Sequence, residues 1–423
     1  MIRLISRLIA TVFVVIGLLT EANAQTVQYY FTEGTEALKQ RNFVRYDSMI
    51  AKALMMFPQH PVILWHAGKA AALNNKADTA IHFLRKAINI RTDFNLSEAD
   101  LFNVWKHPGF ANLEKEKATL ETAVISSDTA FVINDRQLHL ESVAWDPREK
   151  VLYGGSIHKR KIIRIARDGT VTDFTKEEEH GMTAVFGVKV DSRRRILWAC
   201  ASPMKEMQNY DSAAASALYQ FDLKTGKLTA SYIPGDTLTG HVFGDVILDK
   251  NGNPFVSDSK NNVIYTIDRE KGVLIPFFTS PEFWNLQGMA FSDDFQNLYV
   301  SDYIKGIYVI DMRTRQLTNV KTSYAISLKG SDGIYFYGNS LITIQNGVYP
   351  HRVVRHWFNE TKNAFVRYTF VDNNHPVFGE PTIGTFDGNT FYYVATSQWN
   401  GYENGKVKAA SELRPIVILR CSF

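Results

Sequence analysis

The sequence predicts a mainly β protein, a six-bladed β-propeller preceded by an α-helical module. Three observations predict this fold. Near the N-terminus, small and apolar residues recur at a constant spacing, which is typical of paired antiparallel helices. Near Thr129 the chain changes to short runs of Val, Ile, Tyr and Phe separated by turn sequences such as "RDG", "KTG" and "FDGN". One strand–turn–strand unit then recurs six times, as expected for blades arranged around an axis.

Residues 1–24 have the composition of a cleaved secretory signal. Arg3 and Arg7 precede an apolar run from Leu8 to Leu19, and the small-residue triplet "ANA" follows. We therefore expect the mature chain to begin at Gln25 and the protein to be periplasmic or secreted. The apolar run is too short and wrongly flanked for an anchor, so we expect no membrane span.

Composition excludes several classes of function. The formal net charge of +4 is spread along the chain, which argues against nucleic acid as a partner. The two cysteines, Cys200 and Cys421, lie in separate strand-like runs, and we expect two buried thiols; a disulfide is the alternative. The chain lacks G-x-S-x-G, H-E-x-x-H and a Gly-rich phosphate loop, which argues against a serine hydrolase, a zincin or a nucleotide enzyme.

Residues 25–121 are predicted to form the helical module. Small residues at matching positions would let two antiparallel helices approach closely in each of two copies: Gly34, Ala37 and Ala53, then Gly68, Ala71 and Ala87. The pattern resembles the tetratricopeptide repeat, whose period is about 34 residues. Because a two-copy array has few neighbours to bury its core against, we expect it to contact the second domain or a protein partner. An inert helical cap is the alternative.

Residues 129–423 are predicted to form the propeller. The run "DTAFVIN" is predicted to supply the outermost strand of the last blade and so to close the ring. Each unit begins with a polar or small residue, then alternates apolar and polar residues through an Asp-rich turn into a second strand. The six units begin at Glu141, Phe186, Gly244, Gln287, Asp332 and Pro381.

The starting residues predict a polar site on the propeller axis. The innermost strand of every blade lines the central channel, so equivalent residues should face one another there. Glu141 and Asp332 would repel one another, which raises a carboxyl pKa unless a cation is bound. Their oxygens and the Gln287 amide oxygen suit Ca²⁺, with Mn²⁺ or Mg²⁺ as substitutes. A watery channel without metal, or carboxylates paired with Arg and backbone amides, is the alternative.

Residues 139–420 resemble the senescence marker protein/gluconolactonase group of six-bladed propellers, which includes regucalcin. The resemblance is carried by "ESVAWDPREKVLYGGS", "QGMAFSDDFQNLYVSD" and "DGIYFYGNSLITIQN". It implies that Glu141, Gln287 and Asp332 are metal ligands and that Asp332 is also a general base. The chain departs from the group at two positions: Gln287 stands where the group usually has Asn, and Gly244 aligns with another Asn. The second departure removes a ligand or substrate contact unless Asp245 compensates.

The resemblance implies metal-dependent hydrolysis of small lactones or esters. The second strands of the units return to the same face as the starting residues, where a pocket for a hydroxylated ligand is expected. Its predicted wall consists of Asp245, Gln345, Asn346, His158, Gln398 and Trp399, together with Asp258, Asp302 and Tyr303. The alternative is a non-catalytic binding or scaffold propeller whose helical repeats recruit a protein partner.

Overall fold

The computed structural model describes residues 26–403 and 405–423. The chain divides into two compact units, Met1–Glu121 and Thr122–Phe423. The predicted signal segment lies outside the described residues. Among the residues that are described, no helix combines the length and the apolar character needed to cross a membrane.

The first unit is helical. Glycines at matching positions of its two helix pairs allow matching contacts: a Cβ on Gly34 would lie 2.9 Å from Ile50 Cδ1, and a Cβ on Gly68 would lie 2.6 Å from Leu84 Cδ2. A side chain at either position would displace Ile50 or Leu84, so the glycines favour close packing of each pair. The predicted helical module is confirmed, while its assignment as a tetratricopeptide array stays a prediction. The helices are α1 (residues 26–39), α2 (Phe43–Met56), α3 (Pro61–Leu73), α4 (Ala77–Ile88) and α5 (Pro108–Glu121), with a 3₁₀ turn at Ala99–Val104.

The second unit is the predicted six-bladed propeller. Blades 1 to 4 are four-stranded antiparallel sheets, and in each of them the strand that comes first in the sequence is innermost. Blade 1 contains β3 (Leu140–Asp146), β4 (Val151–Ser156), β5 (Lys161–Ile165) and β6 (Val171–Asp173). Blade 2 contains β7 (Ala184–Asp191), β8 (Ile196–Ser202), β9 (Ala217–Asp222) and β10 (Leu228–Tyr232). Blade 3 contains β11 (Phe243–Leu248), β12 (Pro254–Asp258), β13 (Val263–Asp268) and β14 (Val273–Thr279). Blade 4 contains β15 (Leu286–Phe291), β16 (Asn297–Asp302), β17 (Gly306–Asp311) and β18 (Leu317–Asn319).

Blades 5 and 6 each take a strand from the beginning of the unit. Blade 5 contains β20 (Ser331–Phe336), β21 (Ser340–Gln345), β22 (Arg352–Phe358) and β23 (Ala364–Asn373), to which β1 (Val124–Ile125) and β19 (Lys321–Thr322) are added. Blade 6 contains β24 (Gly384–Asp387), β25 (Thr390–Val394) and β28 (Ile416–Ser422), with β2 (Asp128–Ile133) outermost. The pairing of β2 with β28 closes the ring as predicted. A small hairpin, β26 (Tyr402–Glu403) and β27 (Lys406–Val407), lies between β25 and β28.

The hydrophobic core is divided among the blade interfaces. Each of six apolar clusters joins side chains of two neighbouring blades, and the cluster between blades 6 and 1 includes Ile133 of β2. The innermost strands contact one another in order from β3 through β7, β11 and β15 to β20, and β24 contacts β3. The Gly384 N–H of β24 donates to the Tyr335 hydroxyl of β20, which completes the ring. Cys200 and Cys421 are both buried and free, as predicted. This packing fixes the inner strands around the axis, where their polar residues meet.

Candidate functional site

β-Bulges direct the starting residues of the inner strands towards the axis. In five inner strands the pairing register shifts at the unit's starting residue, as between Leu140 and Ser142 in β3 and between Ser331 and Ile334 in β20. A bulge removes a residue from the ladder and re-aims its side chain. Gly288 shows why small residues follow: a Cβ there would lie 2.4 Å from the Asp332 carbonyl oxygen of the next blade.

These residues line a cavity of about 240 Å³, which we call the acidic cavity. Its wall brings together the three predicted metal ligands and three members of the predicted pocket wall, Asn346, Trp399 and Tyr303. Among the described residues, that wall contains no lysine or arginine. The lining residues are Glu141, Phe186, Met204, Val242, Gly244, Ser259, Gln287, Tyr303, Asp332, Asn346, Glu380, Ile383 and Trp399.

Three carboxyl groups of the acidic cavity have raised pKa values. Burial, together with the charges of Asp332 and Glu380, raises the pKa of Glu141 well above its ordinary value. Burial, with the charges of Glu380 and Asp245, raises the pKa of Asp332 to about 7, although a hydrogen bond from Asn346 opposes this. Burial also raises the pKa of Glu380. The cavity therefore favours either protonated carboxyls or a bound cation.

Two short hydrogen-bond chains hold the predicted carboxylates in place. The Trp399 indole Nε1–H donates to Glu141 Oε2 at 2.9 Å. Asn346 Nδ2 donates to Asp332 Oδ2 at 2.9 Å, and the Tyr303 hydroxyl donates to Asn346 Oδ1 at 2.9 Å. One oxygen of each carboxylate is thus fixed by a neutral donor, and the other accepts no hydrogen bond among the described residues.

Gln287 occupies the space that Gly244 leaves open. A Cβ on Gly244 would lie 3.4 Å from Gln287 Oε1, so the longer amide reaches towards the position where a side chain of blade 3 would stand. The Gln287 Nε2 group donates to Asn285 Oδ1 at 2.8 Å, which fixes the orientation of the amide. The two departures from the resembled group are therefore structurally related.

The donor set fits a hard divalent cation of the kind the resemblance implies. Two carboxylates and an amide line one cavity whose described wall has no balancing cationic side chain, and oxygen ligands of this type suit Ca²⁺, Mn²⁺ or Mg²⁺. Within the described parts of the chain, no group of three or more His, Cys, Asp or Glu side chains is arranged to hold a metal ion. Neutral oxygens and water would therefore complete the ligand set of Glu141, Gln287 and Asp332.

Four of the predicted substrate contacts lie away from this wall. Asp245 lies on the other side of the bulge, in a second cavity, and its carboxylate accepts the backbone N–H groups of Val246 and Met289. The other three are His158, whose Nδ1 contacts the Glu206 carbonyl; Gln345, whose amide binds two backbone carbonyls and Arg352; and Gln398, which donates to the Arg414 carbonyl. Asp258 and Asp302 likewise accept backbone N–H groups of nearby loops.

Three residues at or beside the site have no counterpart among the predicted residues. Glu380 precedes Pro381, where the last unit was taken to begin, and it supplies a third carboxyl. His139 packs edge-to-face against Trp399, with the ring centroids 4.5 Å apart, and its Nδ1 contacts the Tyr402 hydroxyl at 2.7 Å. A polar residue one position ahead of each apolar alternation is the sequence signal for Glu380, whereas Tyr402 lies in an insertion with no strand periodicity.

No protein-family model matches the sequence, and no curated protein matches it. Solved structures resembling the chain include a gluconolactonase from Xanthomonas campestris, 16% identical, TM-score 0.47, covering 72% of this chain and 91% of that one. Another is the calcium-binding protein regucalcin from Agrobacterium tumefaciens, 15% identical, TM-score 0.48, covering 70% of this chain and 95% of that one. A third is virginiamycin B lyase from Staphylococcus aureus, 14% identical, TM-score 0.46, covering 67% of this chain and 80% of that one.

The first two neighbours bear the names of the group that the sequence was predicted to resemble. The likeness carries no argument about the activity, metal or substrate of this chain. The propeller assignment itself follows from the pairing of the described strands around the ring.

Proposed function

We propose that this protein hydrolyses small lactones or esters in the acidic cavity. The observation that supports the proposal is Asp332, a buried carboxyl that Asn346 holds by Oδ2 and whose Oδ1 accepts no hydrogen bond among the described residues. A carboxylate positioned in this way can accept a proton from water and return it. Glu141, Gln287 and Asp332 would hold a divalent cation, in the first instance Ca²⁺.

The chain's own residues would perform the proton transfers. Asn346 donates to Asp332 Oδ2, so Asp332 Oδ1 is left to take a proton from a water molecule. The oxygen of that water molecule adds to the carbonyl carbon in the same step. When the ring C–O bond breaks, Asp332 returns that proton to the leaving oxygen. A bound cation would polarise the carbonyl group and stabilise the developing negative charge. Phe186 and Ile383 in the wall exclude bulk water from part of the cavity.

A panel of small lactones tests this proposal. We expect turnover that disappears with a chelator and returns with Ca²⁺ or Mn²⁺, and a loss of about 10²-fold or more in kcat for Asp332→Asn, the usual size of a general-base contribution. Asp387→Asn, which removes a carboxyl from the other end of the channel, serves as the matched control and should retain activity. Equal background rates in all samples would refute the hydrolase proposal.

A non-catalytic binding propeller is the second candidate. Glu141 and Asp332 each already accept a hydrogen bond from a neutral donor, and Gly244 contributes no side chain, as expected for a cavity that binds a hydroxylated ligand without turnover. Under this proposal the helical repeats within residues 25–121 recruit a protein partner. The amount of bound metal after dialysis, compared between the native protein and Glu141→Gln, shows whether the cavity binds a cation. Measured turnover of a lactone then separates the enzyme from the binding protein.

We also propose that residues 1–24 direct export to the periplasm or the medium. The support is the sequence pattern alone, with Arg3 and Arg7 before the apolar run. N-terminal sequencing of protein purified from the cell envelope and the medium is the test. A start at Gln25 is expected, and an intact Met1 on cytoplasmic protein would contradict it.

A further inference from the structure

A second cavity lies at the opposite ends of the same inner strands. Its volume is about 520 Å³, larger than that of the acidic cavity, and Ile383 is part of both walls. We call it the aromatic cavity, because six rings contribute to its wall: Trp145, Phe291, Phe295, Tyr335, Phe336 and Phe386. A cavity of this size with apolar walls is typical of small-molecule sites. The proposed hydrolysis does not use it, and Asp245 is the one predicted substrate contact in its described wall.

Lys189 of β7 is the one lysine in this wall among the described residues. Its amine makes no hydrogen bond and no ion pair with any described residue, and among the described residues Asp245 is the one charge that raises its pKa. Burial lowers the pKa of Lys189, an effect that Asp245 only partly opposes. A lysine in such surroundings has a larger fraction of neutral, nucleophilic amine than a solvated lysine.

Asp245 accepts a backbone N–H group with each of its oxygens and makes no ion pair with the amine. Its Oδ1 accepts the Val246 N–H at 2.8 Å and its Oδ2 accepts the Met289 N–H at 3.0 Å, which joins blades 3 and 4. Burial raises the pKa of Asp245, so the carboxyl is a weak counter-ion. Asp245 therefore bonds to backbone groups of β11 and β15, and the Lys189 amine has no hydrogen-bond partner among the described residues.

The charges of the wall disfavour an anionic ligand. Asp293 and Asp387 belong to the same cavity as Asp245, so an anionic compound would meet three carboxyl groups there. A neutral, apolar carbonyl compound avoids that repulsion, contacts the aromatic wall and presents an electrophilic carbon to the amine.

Tyr335 supplies a hydroxyl donor in the same wall. Its oxygen accepts the Gly384 N–H at 2.6 Å, and its proton has no acceptor among the described residues. Burial raises the pKa of Tyr335 well above its ordinary value, so the hydroxyl stays protonated. A carbonyl oxygen entering the cavity would find a hydrogen-bond donor there.

We propose that the aromatic cavity binds apolar aldehydes or ketones and that Lys189 forms an imine with them. The Lys189 nitrogen attacks the carbonyl carbon, a C–N bond forms, and the carbonyl oxygen leaves as water with the two amine hydrogens. The step needs no oxidant or reductant. This second site is separate from lactone hydrolysis and does not depend on it.

Reductive trapping tests the inference. Full-length protein is incubated with 2-naphthaldehyde and sodium cyanoborohydride, which reduces only the imine, and labelled lysines are located by peptide mass mapping. We expect Lys189 to be labelled at least about 10-fold faster than the exposed Lys250, as for desolvated amines. Lys189→Met should abolish the fast phase, whereas Lys250→Met should leave it unchanged.

Two results would overturn the inference: even labelling of the exposed lysines with Lys189 not preferred, or an unchanged fast phase in Lys189→Met. If Lys189→Met does not fold, the map of the native protein decides the question alone. Asp332→Asn should keep the fast labelling, so a failure of the proposed hydrolysis and a failure of this inference are distinguishable.

Discussion

His356 determines part of the response of the propeller to acid. Its ring is fully buried in blade 5, where the Tyr324 hydroxyl contacts Nδ1 at 2.6 Å and the Thr343 hydroxyl contacts Nε2 at 3.2 Å. Burial, reinforced by the charge of Arg352, lowers the pKa of His356 to about 3. In the unfolded chain the same ring titrates near pH 6.5, as histidines generally do. Stability from the neutral ring is therefore fully present above about pH 6.5 and is lost as the pH falls towards 3.

The size of the effect follows from the pKa difference. A pH of 5 lies about 1.5 units below the pKa of the ring in the unfolded chain, so that ring is protonated, whereas the ring in the folded protein is still neutral. At about 1.4 kcal/mol per unit, the free energy of unfolding falls by about 2 kcal/mol between pH 7 and pH 5 through this residue alone. His356→Gln keeps a donor and an acceptor but does not titrate, so it should lack that decrease.

Urea unfolding followed by tryptophan fluorescence at pH 7 and pH 5 measures the decrease in both proteins. The decrease in the native protein is compared with the decrease in His356→Gln. Glu141, whose pKa is raised, contributes in the opposite direction, but it does so in both proteins and cancels in the difference. His180→Gln, at a half-exposed ring, is the matched control. If His356→Gln lost as much stability between pH 7 and pH 5 as the native protein, the reasoning would be wrong.

Three further outcomes are expected. Ile133→Ala should lower the free energy of unfolding by about 2–5 kcal/mol in a urea titration, because it opens a cavity between the closing strand β2 and blade 1. A decrease below about 0.5 kcal/mol, the size usual for a surface substitution, would contradict this. Arg195→Met should lower it by about 3–5 kcal/mol, because the buried Asp146 carboxylate loses a bidentate partner at 2.6 and 2.8 Å; equal stability would contradict this. Gly244→Asn should weaken Ca²⁺ binding in calorimetry by displacing the Gln287 oxygen, and adding Gln287→Asn should restore it, with a coupling of about 1–3 kcal/mol; simple additivity would argue against a shared site.

The fold could be predicted because the propeller repeats its signal. Six units with the same alternation specify six blades, and the β-rich run before the first unit fits only a strand that completes the last one. β1 was not predicted, because two residues, Val124 and Ile125, are too few for any periodicity and their pairing with β23 depends on the finished ring. The hairpin of β26 and β27 was not predicted either, because each of its strands has only two residues.

The candidate site could be predicted less completely. Glu141, Gln287 and Asp332 lie on one wall because equivalent positions of a propeller converge on its axis, which is a property of the repeat. Gln345 illustrates the limit. Its place at the end of a second strand predicts exposure to the ligand, yet Arg352 and two backbone carbonyls use its whole amide inside the blade. Loops without a repeating sequence pattern determine which polar side chains form hydrogen bonds with the backbone.

The closing strand has a consequence for the order of events in folding. β2 is made before any blade, yet its partner β28 is made after all of them, with almost the whole propeller between the two. Until β28 appears, β2 has no sheet to join and β25 presents an unpaired edge, the kind of surface that recruits other chains. Pairing at such long range is slow to form. A nascent chain of this protein therefore has its period of greatest exposure just before synthesis is finished, and loss of β28 would free two strands at once.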